Sequence, residues 1–223
     1  MKNIIVIAPH PDDETLGCGG TILKHINEGD NVYWIIVTCG NEELGFTKEQ
    51  IKIREKEIFT VTNMYGFKKI YNLKFPTTQL EKIDKRELVE RISKCISEAN
   101  AEILYIPNWG DVHSDHRIVA EAAMSCTKWF RNPSVKTIYA YETLSETEFG
   151  INNSIGKFNG NVFVNIEKFI DKKIDIMNVF TSEIGEFPFP RSEKAIKALA
   201  MVRGANIGCG YAEAFMLLRQ IVD

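Results

Sequence analysis

The sequence predicts an α/β protein: a single-domain, Rossmann-like three-layer sandwich with a mostly parallel sheet. Three observations carry that expectation. Short apolar, β-branched runs alternate with segments of helical periodicity along the chain. Two of those runs, Ile4 to Ala8 and Ile103 to Pro107, end abruptly in clusters of imidazoles and carboxylates, and the carboxyl ends of strands are where open parallel sheets bind ligands. The 223 residues suffice for one substantial core, and no repeat, low-complexity tract or linker marks a second domain within 1–223.

Taken in order, Ile4 to Ala8 reads as a strand buried on both faces and stopped by Pro9, as parallel-sheet strands are. Thr15 to Asn27 reads as a helix, with Leu16, Ile22, Leu23 and Ile26 on its buried side and Gly29 at its end. Within it, Gly17-Cys18-Gly19-Gly20 invites a nucleotide-binding reading, but the G-x-G-x-x-G pattern is incomplete. Small residues that let the helix approach the sheet are the better account. Val32 to Thr38 is a second buried strand, and the loop that follows it is a candidate rim up to Gln50. Ile51 to Tyr65 has helical character, Ile70 to Leu73 is a weaker strand, and Arg86 to Ala99 is amphipathic, with Leu88, Val89, Ile92 and Ile96 at helical spacing.

Ile103 to Pro107 is the next strand. A helical pattern begins near Arg117, with Val119 to Phe130 its clearest part and Asn132-Pro133 its stop. Thr137 to Tyr141 is a strand, 142–160 a long loop, and Val162 to Ile166 an edge strand. Phe169 to Phe180 and Ser192 to Met201 read as helices, joined by Phe187-Pro188-Phe189-Pro190, whose aromatics fit loop packing better than a sugar site. The final apolar stretch is ambiguous between strand and helix.

Composition excludes several functions. A formal net charge of −3 offers no basic footprint for nucleic acid. The apolar run before Pro9 is too short for a signal peptide or a membrane span. Five cysteines, an odd number without a C-x-x-C pair, argue for free thiols in a reducing compartment, the cytoplasm. The expected partner is a small molecule, and a homo-oligomer is compatible with everything above.

The chemistry is concentrated in two turns. Ala8-Pro9-His10-Pro11-Asp12-Asp13-Glu14 follows the first strand, and Asp111-Val112-His113-Ser114-Asp115-His116 follows the strand at Ile103. Three of the four histidines lie in them; His25 falls inside a helix and reads as a half-buried histidine. Asp12 or Asp13 could simply cap the helix that follows, but one helix start needs one cap, which leaves His10 and the second aspartate unemployed. If the two strands are parallel neighbours, both turns share one mouth.

This pair of turns resembles the zinc-dependent N-deacetylases of the PIG-L or LmbE-like family, which remove acetyl from N-acetylglucosaminyl groups. Arg54-Glu55, Tyr141-Glu142, Arg203-Gly204 and Tyr211-Ala212-Glu213-Ala214-Phe215 extend the resemblance over nearly the whole chain. It implies one zinc per chain held by His10, Asp13 and His116, a His₂Asp set that leaves a position for water and that could also accept iron(II), cobalt or nickel. Asp12 is then the general base towards zinc-bound water, and His113, if protonated, stabilises the oxyanion or acts as general acid. Asp115 orients an imidazole, while Glu14 and Asp111 are outer or capping residues. The resemblance also implies that Arg54 holds substrate hydroxyls and that the C-terminal stretch returns Glu213 to the site; for Arg54, a helix-surface pair with Glu57 is an equal alternative. An amino-sugar amide hydrolase is thus the leading expectation. A metal-dependent hydrolase of another amide or a phosphoester, and a Rossmann-like nucleotide-binding protein, are the competing ones.

Overall fold

The computed structural model describes residues 1–150 and 156–222. In chain order its elements are β1 (Asn3–Ala8), α1 (Asp13–Asn27), β2 (Asn31–Cys39), α2 (Lys48–Tyr65), β3 (Lys69–Pro76), α3 (Lys85–Ala99), β4 (Ile103–Pro107), α4 (Ser114–Cys126), β5 (Thr137–Tyr141), β6 (Val162–Asn165), α5 (Ile170–Met177), α6 (Glu193–Ala205) and β7 (Ala212–Gln220). The strands form one sheet in the order β3-β2-β1-β4-β5-β7-β6. From β3 to β5 neighbours are parallel; β7 runs antiparallel to both β5 and β6.

Alternation along β1 shows why the sheet is covered on both faces. Ile5 and Ile7 pack with Leu88, Ile92, Val119 and Ala123 of α3 and α4. Ile4, Val6 and Ala8 pack with residues of α1, α2, α5 and α6, among them Leu16, Val61, Ile174 and Ile196. A period of two splits one apolar run between two cores, and the result is the expected three-layer sandwich. The chain leaves β1 for β2 on one side, while β4 lies on the other, with Ile4 opposite Ile103 and Val6 opposite Tyr105. That topological switch opens a crevice at the carboxyl ends of β1 and β4.

Several boundaries differ from the sequence expectation. α2 begins at Lys48, because Thr47 and Gln50 form a reciprocal capping box. α4 begins at Ser114 and ends at Cys126, so the second polar cluster is its first turn, and Trp129 and Phe130 beyond it are exposed. The ambiguous C-terminal stretch is β7, hydrogen-bonded on both sides. Of the expected loop at 142–160, residues 151–155 lie outside the described residues. Phe187 and Phe189 are exposed, away from the site cavity.

The glycines of α1 are steric. A Cβ on Gly17 would sit 2.3 Å from Cδ2 of the fully buried Tyr141, and one on Gly20 would meet Ile166 at 2.6 Å. The helix is thereby seated against its neighbours, leaving this segment no room to cradle a nucleotide. Gly17→Ala gains about 1 kcal/mol of helix propensity, but overpacking against Tyr141 costs about 1–3 kcal/mol. Urea unfolding should show net destabilisation; superimposable curves would mean that Tyr141 yields freely.

Candidate functional site

Four braces shape the turn after β1. Thr38 donates its backbone N–H and its hydroxyl to the Pro9 carbonyl at 3.0 and 2.9 Å. Arg54 Nη1 donates to the Pro11 carbonyl at 3.0 Å. The Asp12 N–H is held at 3.0 Å by the carboxylate of Glu14, whose pKa burial raises to about 8. The Asp12 carbonyl accepts from Thr15 and Leu16, both at 2.9 Å. Held this way, Asp12 adopts φ 140°, a strained conformation for a residue with a side chain. It occupies the N-cap position of α1, yet its side chain makes no capping bond. The simple capping role is therefore not realised, and the carboxyl instead lines the crevice. Burial, then Asp13 and Glu183, lift its pKa well above the usual carboxylate range.

The second turn is the start of α4. His113 caps it, with Nδ1 accepting the Asp115 N–H at 3.1 Å. Asp115 also accepts the N–H of Thr78 at 2.7 Å and His10 Nε2 at 3.1 Å. Asp111, at the head of the turn, holds His116 Nδ1 at 2.8 Å. His10 and His116 thus each give one nitrogen to an orienting carboxylate and turn the other elsewhere, the arrangement in which second carboxylates orient metal-ligating histidines.

The free nitrogens converge on Asp13. His10 Nδ1 and His116 Nε2 each lie 3.3 Å from Asp13 Oδ2. His116 Nε2 is sealed from solvent and, despite that proximity, makes no hydrogen bond among the described residues. For ligands about 2.0–2.1 Å from a tetrahedral ion, neighbouring donors stand about 3.3 Å apart. The donor set and the orphaned nitrogen both fit a divalent metal. Electrostatics agrees. Burial alone would lower the His10 pKa, but the neighbouring carboxylates of Asp115 and Asp13 overcome it and raise it to about 9. His116 is raised as well, against burial, by Asp13 and Asp111, while the two imidazoles hold Asp13 below the usual range although burial opposes it. The pocket is built for positive charge.

The crevice opens into a cavity of about 900 Å³. Arg54 lies on its wall, but its guanidinium is largely engaged, with Pro11, Ser182 and Glu183 and with Glu57 at 3.4 Å. The helix-surface pair and a place beside the cavity therefore hold together, and Arg54 braces the turn after β1. Arg191 binds Glu183 from the other side at 3.2 Å. Glu146, from the turn after β5, also faces the cavity, with its pKa raised first by burial. Sequence reading missed it, since no motif marks a lone glutamate in a loop. His25 uses both nitrogens, with Asp30 and Tyr105 at 3.0 Å each, as a half-buried histidine does.

Similarity to known proteins defines the class of this protein, a deacetylase, which is an amide hydrolase. The chain belongs to the PIG-L family: the family model described as GlcNAc-PI de-N-acetylase matches residues 5–127, which include both turns. A curated relative from Bacillus anthracis, "Probable N-acetyl-alpha-D-glucosaminyl L-malate deacetylase 2", is 27% identical over 197 residues, spanning 82% of this chain and 83% of its own. Diacetylchitobiose deacetylase of Thermococcus kodakarensis is 25% identical over 222 residues, spanning 96% and 82%. Among solved structures, N,N'-diacetylchitobiose deacetylase from Pyrococcus horikoshii shares the fold, with a TM-score of 0.78 and 24% identity over 98% of this chain and 84% of that one.

The family features outside the turns are structural here. Arg203 grips both carboxylate oxygens of Glu142, at 2.7 and 2.5 Å. Glu213 is not brought to the cavity, contrary to the expectation that it returns to the site. Its buried carboxylate accepts the N–H groups of Gly20 and Thr21 at 2.8 Å each and pairs at 2.7 Å with Lys173, which donates on to the Leu16 carbonyl at 2.9 Å. The reason is geometric: β7 passes beneath the middle of α1, not its N-terminus. Glu213→Ala strands a buried ammonium and two N–H groups, so a loss of about 3–5 kcal/mol is expected, read as a lower melting temperature with substrate KM unchanged in the folded enzyme. Unchanged melting with a raised KM would restore the substrate role.

Proposed function

We propose that the protein is a zinc-dependent N-deacetylase of an N-acetylglucosaminyl or related N-acetyl amino sugar, acting in the cytoplasm in the biosynthesis of a glycoconjugate or small glycoside. The observation that carries this reading is the convergence of His10 Nδ1, Asp13 Oδ2 and His116 Nε2 beside the strained, buried Asp12 at the head of the cavity. The sugar specificity is supported by the family description and by the substrates named for the two curated relatives. The five free cysteines suit a reducing compartment.

His10, Asp13 and His116 would hold the ion, one per chain; when bound, it supplies the Lewis acidity that polarises the acetyl carbonyl and lowers the pKa of water. The other steps fall to the chain's own groups. Asp12, whose burial makes its carboxylate a stronger base, takes the proton of the attacking water and delivers it to the departing amine. His113 cannot carry two ring protons while Nδ1 accepts the Asp115 N–H, and burial with two neighbouring imidazoles lowers its pKa to about 4. It therefore acts as a neutral Nε2–H donor to the oxyanion, not in the protonated form that the sequence reading considered. Asp115 serves both sides, fixing His10 with its carboxylate and His113 with its backbone N–H.

Asp12→Ala is expected to lower acetate release from simple N-acetylglucosaminides by roughly 10²–10⁴-fold with metal content retained. His116→Ala is expected to lose both metal and activity. Acetate assays with metal analysis on the same samples decide the matter: full turnover by His116→Ala would remove the ligand assignment, and full turnover by Asp12→Ala would remove the general base.

A further inference from the structure

Glu146 is held as rigidly as the catalytic turns, although it lies in a loop. Its carbonyl accepts the Val112 N–H and its own N–H donates to the Thr143 carbonyl, both at 3.1 Å. Beside it, the Thr147 hydroxyl accepts the Thr143 N–H at 2.8 Å and donates to Asp111 Oδ1 at 2.7 Å. Asp111 is the carboxylate that orients His116, so this loop and the His-Asp-His cluster share one hydrogen-bonded frame.

The Glu146 side chain lines the cavity together with Asp12, Asp13 and His113. Its Oε2 is sealed from solvent and finds no donor among the described residues. An acceptor shut in without a donor is costly, and native proteins rarely keep one without a reason. The obvious protein donors on the same wall are already taken: Arg54 by Glu57, Glu183 and Pro11, and Arg191 by Glu183 and Ser145. A turn of the Glu146 carboxyl into the cavity that the residue lines would bring it to a ligand rich in hydroxyl groups, which would supply what the wall does not.

We infer that Glu146 is a substrate-contact residue of this site, accepting a hydrogen bond from a hydroxyl of the amino sugar and so fixing the ring while its acetamide faces Asp12 and His113. This rests on the deacetylase reading above and adds to it the group that orients the sugar. A carboxylate that grips a neutral hydroxyl also explains why an unpaired acid stands beside the reacting centre without being needed for proton transfer.

The test is a double-mutant cycle in the full-length, metal-loaded enzyme, between Glu146→Ala and a panel of N-acetylglucosaminides each lacking one hydroxyl. Wild type should lose about 10–100-fold in kcat/KM on one deoxy substrate. Glu146→Ala should lose a similar factor on the parent and be indifferent to that same deoxygenation. Glu146→Gln, whose amide oxygen still accepts, should keep most of the parent rate and guards against a misfolded alanine variant. Metal content and melting temperature should match wild type in both. Wild-type kinetics in Glu146→Ala, undiminished discrimination among the deoxy substrates, or loss of metal would each overturn the assignment. If wild type itself releases no acetate from any N-acetylglucosaminide, the deacetylase reading falls and takes this one with it.

Discussion

Everything at the site depends on one carboxylate, that of Asp13, held between two largely buried imidazoles, one from the turn after β1 and the other from the first turn of α4. Burial penalises every charge in that group. It is tolerated because the charges compensate one another: Asp13, Asp111 and Asp115 surround His10 and His116 with acceptors, and both rings are pushed towards the positive form in spite of desolvation. Among the described residues His116 Nε2 finds no partner, and a divalent cation would answer all three donors at once.

The backbone strain at Asp12 is the second half of the same design. Adjacent aspartates must serve opposite sides, one turned to the histidines and the other to the cavity, and an ordinary helix start would not separate them so widely. The φ of 140° at Asp12 accomplishes this, and the surrounding hydrogen bonds, donated by Thr38 and Arg54 and accepted by Glu14, overdetermine the turn enough to keep it. Further along α1, Glu213 and Lys173 anchor the helix from below while its glycines let it lie close against Tyr141 and Ile166. The turn after β1 therefore stands on a helix fixed along its length, which is the kind of rigid support a preorganised site needs.

Much of this was legible from local pattern. Apolar runs ending in Pro9 and Pro107 placed β1 and β4, and the imidazole and carboxylate pairs after them marked the candidate site before any contact was known. The misses share a physical cause. Ala212 to Gln220 is composed largely of good helix formers, yet it is a strand because β5 and β6 offer it backbone partners on both sides. α4 starts earlier than its apolar periodicity suggests because His113, an uncommon cap, supplies the acceptor. Arg54 and Glu213 could each be drawn to the site by resemblance, but only their partners show that one braces the turn and the other anchors a helix.

What the sequence determined by itself was the inventory and its local placement: which strands end in ligand-type residues, and that the candidate site groups come from two turns about a hundred residues apart. Those properties are local, set by side-chain type and by the short-range rules of strands, prolines and glycines. Only the tertiary structure decided which nitrogen of each histidine stays free, which carboxylate holds it, that Asp12 is strained and Glu146 faces the cavity, and that Glu213 does not. These depend on distances between segments remote in sequence, and no local pattern encodes a distance.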